Sequence, residues 1–214
     1  MLTQEVQQVM ANLRKNRMAV DYVATKGEVV PLVESLIPAG ATIASGGSQT
    51  LHETGVTELM HSGKYHYLDR NAPNMTDDQK AAVIAGTSIA DVYLCSSNAV
   101  TLNGELYNVD GNCNRIAAIA HGPKKVILVV GINKIVPDLK AAVRRVKTIA
   151  APLNTKRLNC ATYCKEIGHC MAVNGDMTDG CGSPQRICCN YLVSGQQRHP
   201  DRIHVILVGE HCGY

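Results

Sequence analysis

Two apolar runs of strand length, residues 92–95 (VYLC) and 126–130 (VILVV), flank the feature that most restricts this chain: a long polar segment joining them. Both runs are rich in β-branched or bulky residues, and Gly111 and the pair Gly122, Pro123 punctuate the stretch between them. Within it lie Ser96, Ser97, Asn98, Thr101, Asn103, Asn108, Asp110, Asn112, Asn114 and Arg115, more hydrogen-bonding side chains than a connector requires. Long polar loops in compact domains are usually functional or disordered. The interleaved Leu102, Leu106, Tyr107 and Val109 argue against disorder. The segment is expected to line a small-molecule pocket on a rigid scaffold.

The rest of the chain alternates strand and helix patterns. Thr3 can cap a helix with Val6, Val9, Met10 and Leu13 on one face. A strand pattern over 18–23 precedes Thr25 and Glu28, a capping-box spacing that opens a helix through Val33 and Ile37. Pro31 sits early enough in it to be tolerated, and Pro38 and Gly40 end it. Short strand patterns follow at 41–44 and 65–68, and Thr76 with Gln79 caps a helix through Val83 to about Ala85. Pro137 and Asp138 open an amphipathic helix bearing Leu139, Ala142, Val143, Val146 and Ile149, which Pro152 should close. Arg144, Arg145 and Lys147 in its last turns read as a solvated face matched to the helix dipole. A final strand covers 203–208. This alternation predicts an α/β fold with a mostly parallel sheet flanked by helices. A single domain over 1–214 is expected, with a cysteine-rich metal-binding insertion at 159–190.

Composition limits the partners. Charged residues make up 18% and the formal charge is +3, which announces neither nucleic acid nor membrane. No apolar run approaches the roughly 18 residues of a membrane span, and the N-terminus lacks a signal-peptide pattern, so the expected location is the cytoplasm. With no Phe and no Trp, the core must be aliphatic.

The run SGGSQTLHETG (45–55) follows one of the short strands. A glycine-rich turn between strand and helix can aim backbone N–H groups at an anion. Gly46 and Gly47 permit close approach, and Ser48 and Thr50 add hydroxyls; a tight turn capped by Ser48 is the plainer alternative. The pattern is neither a dinucleotide fingerprint nor a P-loop. Glu53 stands close enough to this turn to act as base or nucleophile.

Six of the nine cysteines lie within 159–190, a stretch poor in apolar residues and rich in glycine. Cys164, Cys170, Cys181 and Cys188 are spaced to converge on one centre, with Cys160 and Cys189 as substitutes. Soft thiolate donors select zinc or an iron–sulfur cluster. The spacing matches neither zinc ribbons nor bacterial ferredoxins and leaves the metal open. A loop of free thiols is the remaining alternative.

On these residues the chain resembles the lactate-utilisation (LUD) domain family. The matching stretches are SGGSQTLHETG, SSNAVTLNGELYNVDGNCNR, GPKKVILVVGINKIV, AAPLN and RIHVILVGE, in family order, with an SPxRIC-type motif at 183–188. Two departures stand out. Cys113 occupies a position where the family usually has glycine, placing a thiol in the expected pocket wall, and an insertion at 171–179 lengthens the tail. The resemblance implies the fold of ribose-5-phosphate isomerases, glucosamine-6-phosphate deaminases and CoA transferases. It further implies a role around lactate oxidation beside iron–sulfur or flavoprotein redox partners. It tilts the metal toward an iron–sulfur cluster of the 4Fe-4S type, with zinc as the alternative, but defines no reaction, so enzymatic activity stays open.

Three functions follow as expectations. The first is an iron–sulfur protein of lactate or related organic-acid utilisation that binds a small anion. Its expected anion site comprises Gly46, Gly47, Ser48, Thr50, Asn98, Thr101, Asn108, Asn114, Arg115 and Lys134. The second is a cluster-independent isomerase- or transferase-type enzyme with structural zinc, using Glu53 or Asp110 as base or nucleophile. The third is a zinc-stabilised assembly module. Arg115 is preferred to Lys134 as the carboxylate anchor, because a guanidinium can grip with two parallel hydrogen bonds; bracing the loop through Asp110 is the competing role.

Overall fold

The computed structural model describes residues 2–214. The chain runs α1 (Gln4–Lys15), β1 (Ala19–Val23), α2 (Val29–Leu36), β2 (Thr42–Ser45), α3 (Gln49–Glu53), α4 (Val56–Met60), β3 (His66–Leu68) and α5 (Asp77–Thr87). It continues through β4 (Val92–Cys95), β5 (Ala99–Thr101), β6 (Leu106–Asp110), α6 (Asn114–Ala120), β7 (Lys125–Gly131) and β8 (Ile135–Val136). The last elements are α7 (Leu139–Arg145), α8 (Ala151–Arg157), α9 (Tyr163–Ile167), β9 (Asn190–Ser194) and β10 (Ile203–Val208).

Six strands form one sheet in the order β1-β10-β7-β4-β2-β3, and every pairing in it is parallel. A parallel sheet needs both faces covered, and the near-continuous apolar strands supply the means. Every residue of β4 and β10 is buried. Val126, Leu128 and Val130 of β7 pack on one face with Val6, Val9 and Leu13 of α1 and Ile119 of α6. Ile127 and Val129 pack on the other with Val29 and Val33 of α2, Leu51 of α3 and Leu59 of α4. The helix starts follow local chemistry: Thr3 Oγ1 accepts from Val6 N, and Thr76 and Gln79 exchange both capping-box hydrogen bonds.

The polar connection between β4 and β7 is not a loop. It contains the hairpin β5–β6, which joins β8 and β9 in a second sheet of order β8-β5-β6-β9. Tyr107 and Val109 of this sheet pack on Ala142 and Val146 below it.

Two further expectations are corrected. Pro152 does not end its helix, which runs on through a π-helical turn at Val146–Ala150 into α8. Proline has no N–H to donate and crowds the preceding turn, and a π turn is a usual adjustment of the ladder at such a place. Nor is the basic cluster a solvated face throughout: Arg144 is exposed as expected, but the other two are not. Arg145 and Lys147 are 6% and 5% exposed. Arg145 donates through Nη1 to Asn98 O at 2.6 Å and through Nε to Asn133 O at 3.2 Å. Lys147 Nζ donates to the carbonyls of Ala172, Gly175 and Asp176 at 2.8, 3.0 and 2.5 Å. One buried ammonium thus ties three carbonyls of the inserted part of the tail.

Lys147→Met keeps the stem and removes the charge, leaving three carbonyls without their shared donor. It should lower stability in urea unfolding by about 2–4 kcal/mol, with the first proteolytic cuts moving into 171–179. Unchanged stability and cleavage would remove Lys147 as the anchor.

Candidate functional site

The chain leaves β2 toward β3 on one side and leaves β4 toward β7 on the other, so β2 and β4 bound the place where strand order reverses. Parallel sheets gather ligands outside the carboxyl ends of the strands at such a point. A cavity of about 520 Å³ lies there. Both segments singled out in the sequence reach it: Gly47 and Ser48 from the loop after β2 and Thr50 from the start of α3, and Asn98, Asp110, Asn114 and Arg115 from the hairpin and the start of α6. Lys134, in the 3-10 turn after β7, completes that set.

Four expected residues stand off the cavity wall. Gly46 lies behind it, where a Cβ would come within 2.8 Å of Tyr93 Oη and 3.0 Å of the Arg115 side chain; its lack of a side chain serves that packing. Thr101 is buried in the hairpin, donating to Glu105 Oε2 at 2.7 Å. Asn108 is buried behind Arg115 and accepts from its Nη1 at 2.6 Å. Glu53 faces the C-terminal strap instead, accepting from Gly213 N at 2.9 Å and pairing with Lys26 at 3.6 Å. Cys113 is exposed and does not line the cavity. Its φ of +66° lies in the left-handed region, which explains physically why glycine suits that position.

Arg115 has no free edge with which to grip a carboxylate through two hydrogen bonds. Nη1 donates to Ser96 O and Asn108 Oδ1, and Nη2 to Asn98 Oδ1 and Val109 O, at 2.6–3.1 Å. Asp110 Oδ2 instead accepts from the backbone N–H of Arg115 and Ile116, fixing the start of α6. Arg115 is therefore a brace, though through backbone and amide oxygens and not through Asp110.

The cavity holds residues that sequence reasoning missed. Arg70, in the turn after β3, makes no hydrogen bond or ion pair among the described residues and lies over Gly47, its Nη2 3.5 Å from where a Cβ would be. Arg157 donates to Asn154 Oδ1 at 2.8 Å and to Tyr214 Oη at 2.7 Å, leaving Nη1 uncommitted. Arg186 also reaches the wall. No signal marks Arg70, an isolated charge in a turn. The lining thus carries four guanidinium groups, of Arg70, Arg115, Arg157 and Arg186, and the amine of Lys134, against one side-chain carboxylate, Asp110. Such a wall attracts anions.

Cys164, Cys170, Cys181 and Cys188 line a second, smaller cavity of about 30 Å³. Cys160 and Cys189 do not; Cys189 is exposed, its Sγ donating to Arg186 O at 3.2 Å. His169 is exposed, its Nδ1 3.0 Å from Cys170 O. Burial pushes the Cys188 thiol up to about 12, and Cys164, Cys170 and Cys181 all add to the effect, so the four sulfurs feel one another. Burial also acts to raise the Cys181 thiol, but hydrogen bonds from Ser183 and the charge of Arg186 outweigh it and hold the thiol below its usual range. Among the described residues no three His, Cys, Asp or Glu side chains are grouped so that they could hold a metal ion. Arg186 organises the backbone here, donating to Cys188 O, Cys181 O and Thr178 O at 2.8, 3.1 and 2.8 Å. Residues 186–188 face both cavities and form the wall between them.

Arg115→Lys should leave the affinity for a carboxylate ligand intact while costing about 1.5–3 kcal/mol of stability, a fall of roughly 3–12 °C in Tm. Titration calorimetry and thermal unfolding on the same sample separate the two; a lost affinity with unchanged Tm would restore Arg115 as the anchor.

No helix among the described residues is long and apolar enough to cross a membrane. No curated protein matches the chain. The crystal structure of a DUF162 family protein from Deinococcus radiodurans superposes with a TM-score of 0.54, at 17% identity, covering 97% of this chain and 99% of that one; this likeness concerns the fold. The family model of the LUD domain matches residues 6–208. A match over nearly the whole length, with that shared fold, makes this chain a member of the LUD domain family.

Proposed function

We propose that this LUD domain protein serves lactate or related organic-acid utilisation, binding a small organic anion in the larger cavity and an iron–sulfur cluster on Cys164, Cys170, Cys181 and Cys188. The observation that supports it best is the shared wall, since residues 186–188 face the cationic cavity on one side and the four cysteines on the other. By donor type the set suits such a group: Cys164 in α9 and Cys170, Cys181 and Cys188 in the loop that follows are soft thiols, and Lys147 and Arg186 hold that loop through backbone carbonyls. A bound cluster supplies one-electron transfer, and an iron–sulfur or flavoprotein partner is the corresponding redox companion.

The protein's own residues act on the anion. Arg70 offers an uncommitted guanidinium, Arg157 one free Nη1, and Ser48 and Asn114 neutral polar groups on the same wall. Arg115 and Arg145 hold the hairpin in place behind them. The cluster-independent isomerase or transferase reading has less support. Glu53 stands off the cavity, and one oxygen of Asp110 is committed to α6. A structural zinc ion is the second metal reading, favoured by the small size of the cysteine cavity.

Protein purified without oxygen should be brown and contain iron and sulfide. Each of Cys164→Ala, Cys170→Ala, Cys181→Ala and Cys188→Ala should lose most of the metal, while Cys95→Ala, at a fully buried position in β4, should keep it. Colourless protein with stoichiometric zinc selects the zinc reading; absence of both metals overturns both. Loss in Cys189→Ala but not in Cys188→Ala would move the site by one residue.

Arg70→Met should weaken binding of lactate, pyruvate or a phosphosugar, whichever the wild type binds, about tenfold to a hundredfold. Its Tm should not change, because Arg70 has no protein partner to lose. Equal affinity in calorimetry would place the anion elsewhere.

A further inference from the structure

Lys134 is only 2% exposed, yet it forms part of the larger cavity's wall. A buried ammonium is costly without a counter-charge, and no carboxylate among the described residues forms an ion pair with this one. The groups that bear on it are Arg145, Cys212, Arg115 and Glu53. Two of these are fixed cations. Glu53 is itself engaged by Lys26 and the N–H of Gly213. Burial, and after it Arg145, lowers the Lys134 pKa to about 7; Arg115 adds to the shift, while Cys212 and Glu53 oppose it. Near neutrality a large share of the amine is therefore unprotonated.

The hydrogen bonds then decide what the nitrogen can do. Nζ donates to Thr50 Oγ1 at 2.7 Å and to Ser96 Oγ at 3.1 Å. Each hydroxyl sends its own proton onward, Thr50 to Cys212 O at 3.2 Å and Ser96 to Ser97 O at 3.4 Å. Hydroxyls turned this way act as acceptors toward Lys134. A neutral amine spends both N–H bonds on them, and its lone pair has no protein partner. Gly213, with φ +59°, passes beside the nitrogen, and a Cβ there would stand 3.1 Å from Nζ. The C-terminal strap thus covers the amine closely, and the cavity is the open side.

We propose that Lys134 is a nucleophile that forms an imine with an anionic carbonyl compound bound in the larger cavity. The inference rests on reading that cavity as an anion site and adds the reactive group. The anionic half of the ligand follows from the surplus of cations on the wall, and the carbonyl half from what an amine lone pair can attack. The lone pair forms the C–N bond as the carbonyl π pair moves to oxygen. The two amine protons leave with that oxygen as water, so no oxidant or reductant is consumed. A 2-oxo acid and a triose phosphate both present this chemistry, and the test carries an arm for each.

Full-length protein is incubated with pyruvate or with dihydroxyacetone phosphate and cyanoborohydride, then analysed by intact mass and peptide mapping. Each ligand is also titrated calorimetrically without reductant. The expected result is one reduced adduct per chain, on the peptide containing Lys134, from one of the two ligands, with labelling rising as pH is raised through about 7. Lys134→Arg and Lys134→Met should give no adduct, and Arg70→Met should slow labelling about tenfold at low ligand. Binding without an adduct overturns the role of Lys134 and leaves the anion site standing. Neither binding nor adduct, with both ligands, overturns both. An adduct spread over several lysines also overturns the proposal. Should both Lys134 variants fail to fold, the mapped position in the wild type decides alone.

Discussion

Three buried or half-buried cations, Arg115, Arg145 and Lys147, hold this structure together through backbone carbonyls and side-chain amide oxygens, and none of them is paired with a carboxylate. Burying a cation this way is stable only if its donors are met by well-placed acceptors. Here the acceptors belong to segments with little apolar surface of their own: the turn around Asn98, the carbonyl of Asn133 and the inserted loop at 172–176. The cations do what a hydrophobic core cannot do for polar loops. Because their partners are neutral, the positive charge is not cancelled. Of the three, only Arg115 lies on the wall of the larger cavity, beside the guanidinium groups of Arg70, Arg157 and Arg186.

The central sheet was legible because its strands are two-sided. Residues 92–95, 126–130 and 203–208 read as apolar runs in sequence and lie in fully buried strands. The second sheet was not legible. β5 and β6 alternate buried apolar residues with Thr101 and Asn108, which are buried as well, so the expected period of two between apolar and polar positions is missing. Its pairing with β9 joins residues about eighty positions apart, a contact no local pattern announces.

The site was legible in outline and misread in its roles. Polar density in one connection marked the hairpin that walls the cavity, and the glycine turn after β2 marked the facing side. Which cation is free and which is spent depends on tertiary acceptors. Arg115 lies in the polar segment and is saturated; Arg70 lies in an unremarkable turn and is not. The same limit explains Arg145 and Lys147, buried beside an exposed Arg144. A cluster of charges at a helix end normally faces water, but the π turn at Val146–Ala150 sets the helix beside loops that need donors. Spacing favoured four cysteines and left Cys160 and Cys189 as substitutes; the four line one cavity and the other two do not.

The helix pair α7–α8 with its π turn is also where the two cavities meet. Val146 and Ala151 face both of them, on the side opposite residues 186–188. A wall one side chain thick transmits displacement, because packed interiors have little free volume to absorb it. Arg186 donates to Cys188 O and Cys181 O on the cysteine side and also lines the larger cavity. Drawing the four sulfurs inward around a centre would move the carbonyls that Arg186 holds, and with them its position in the larger cavity. A centre bound there and a ligand bound in the larger cavity would then be linked, each changing the other's affinity by the same factor.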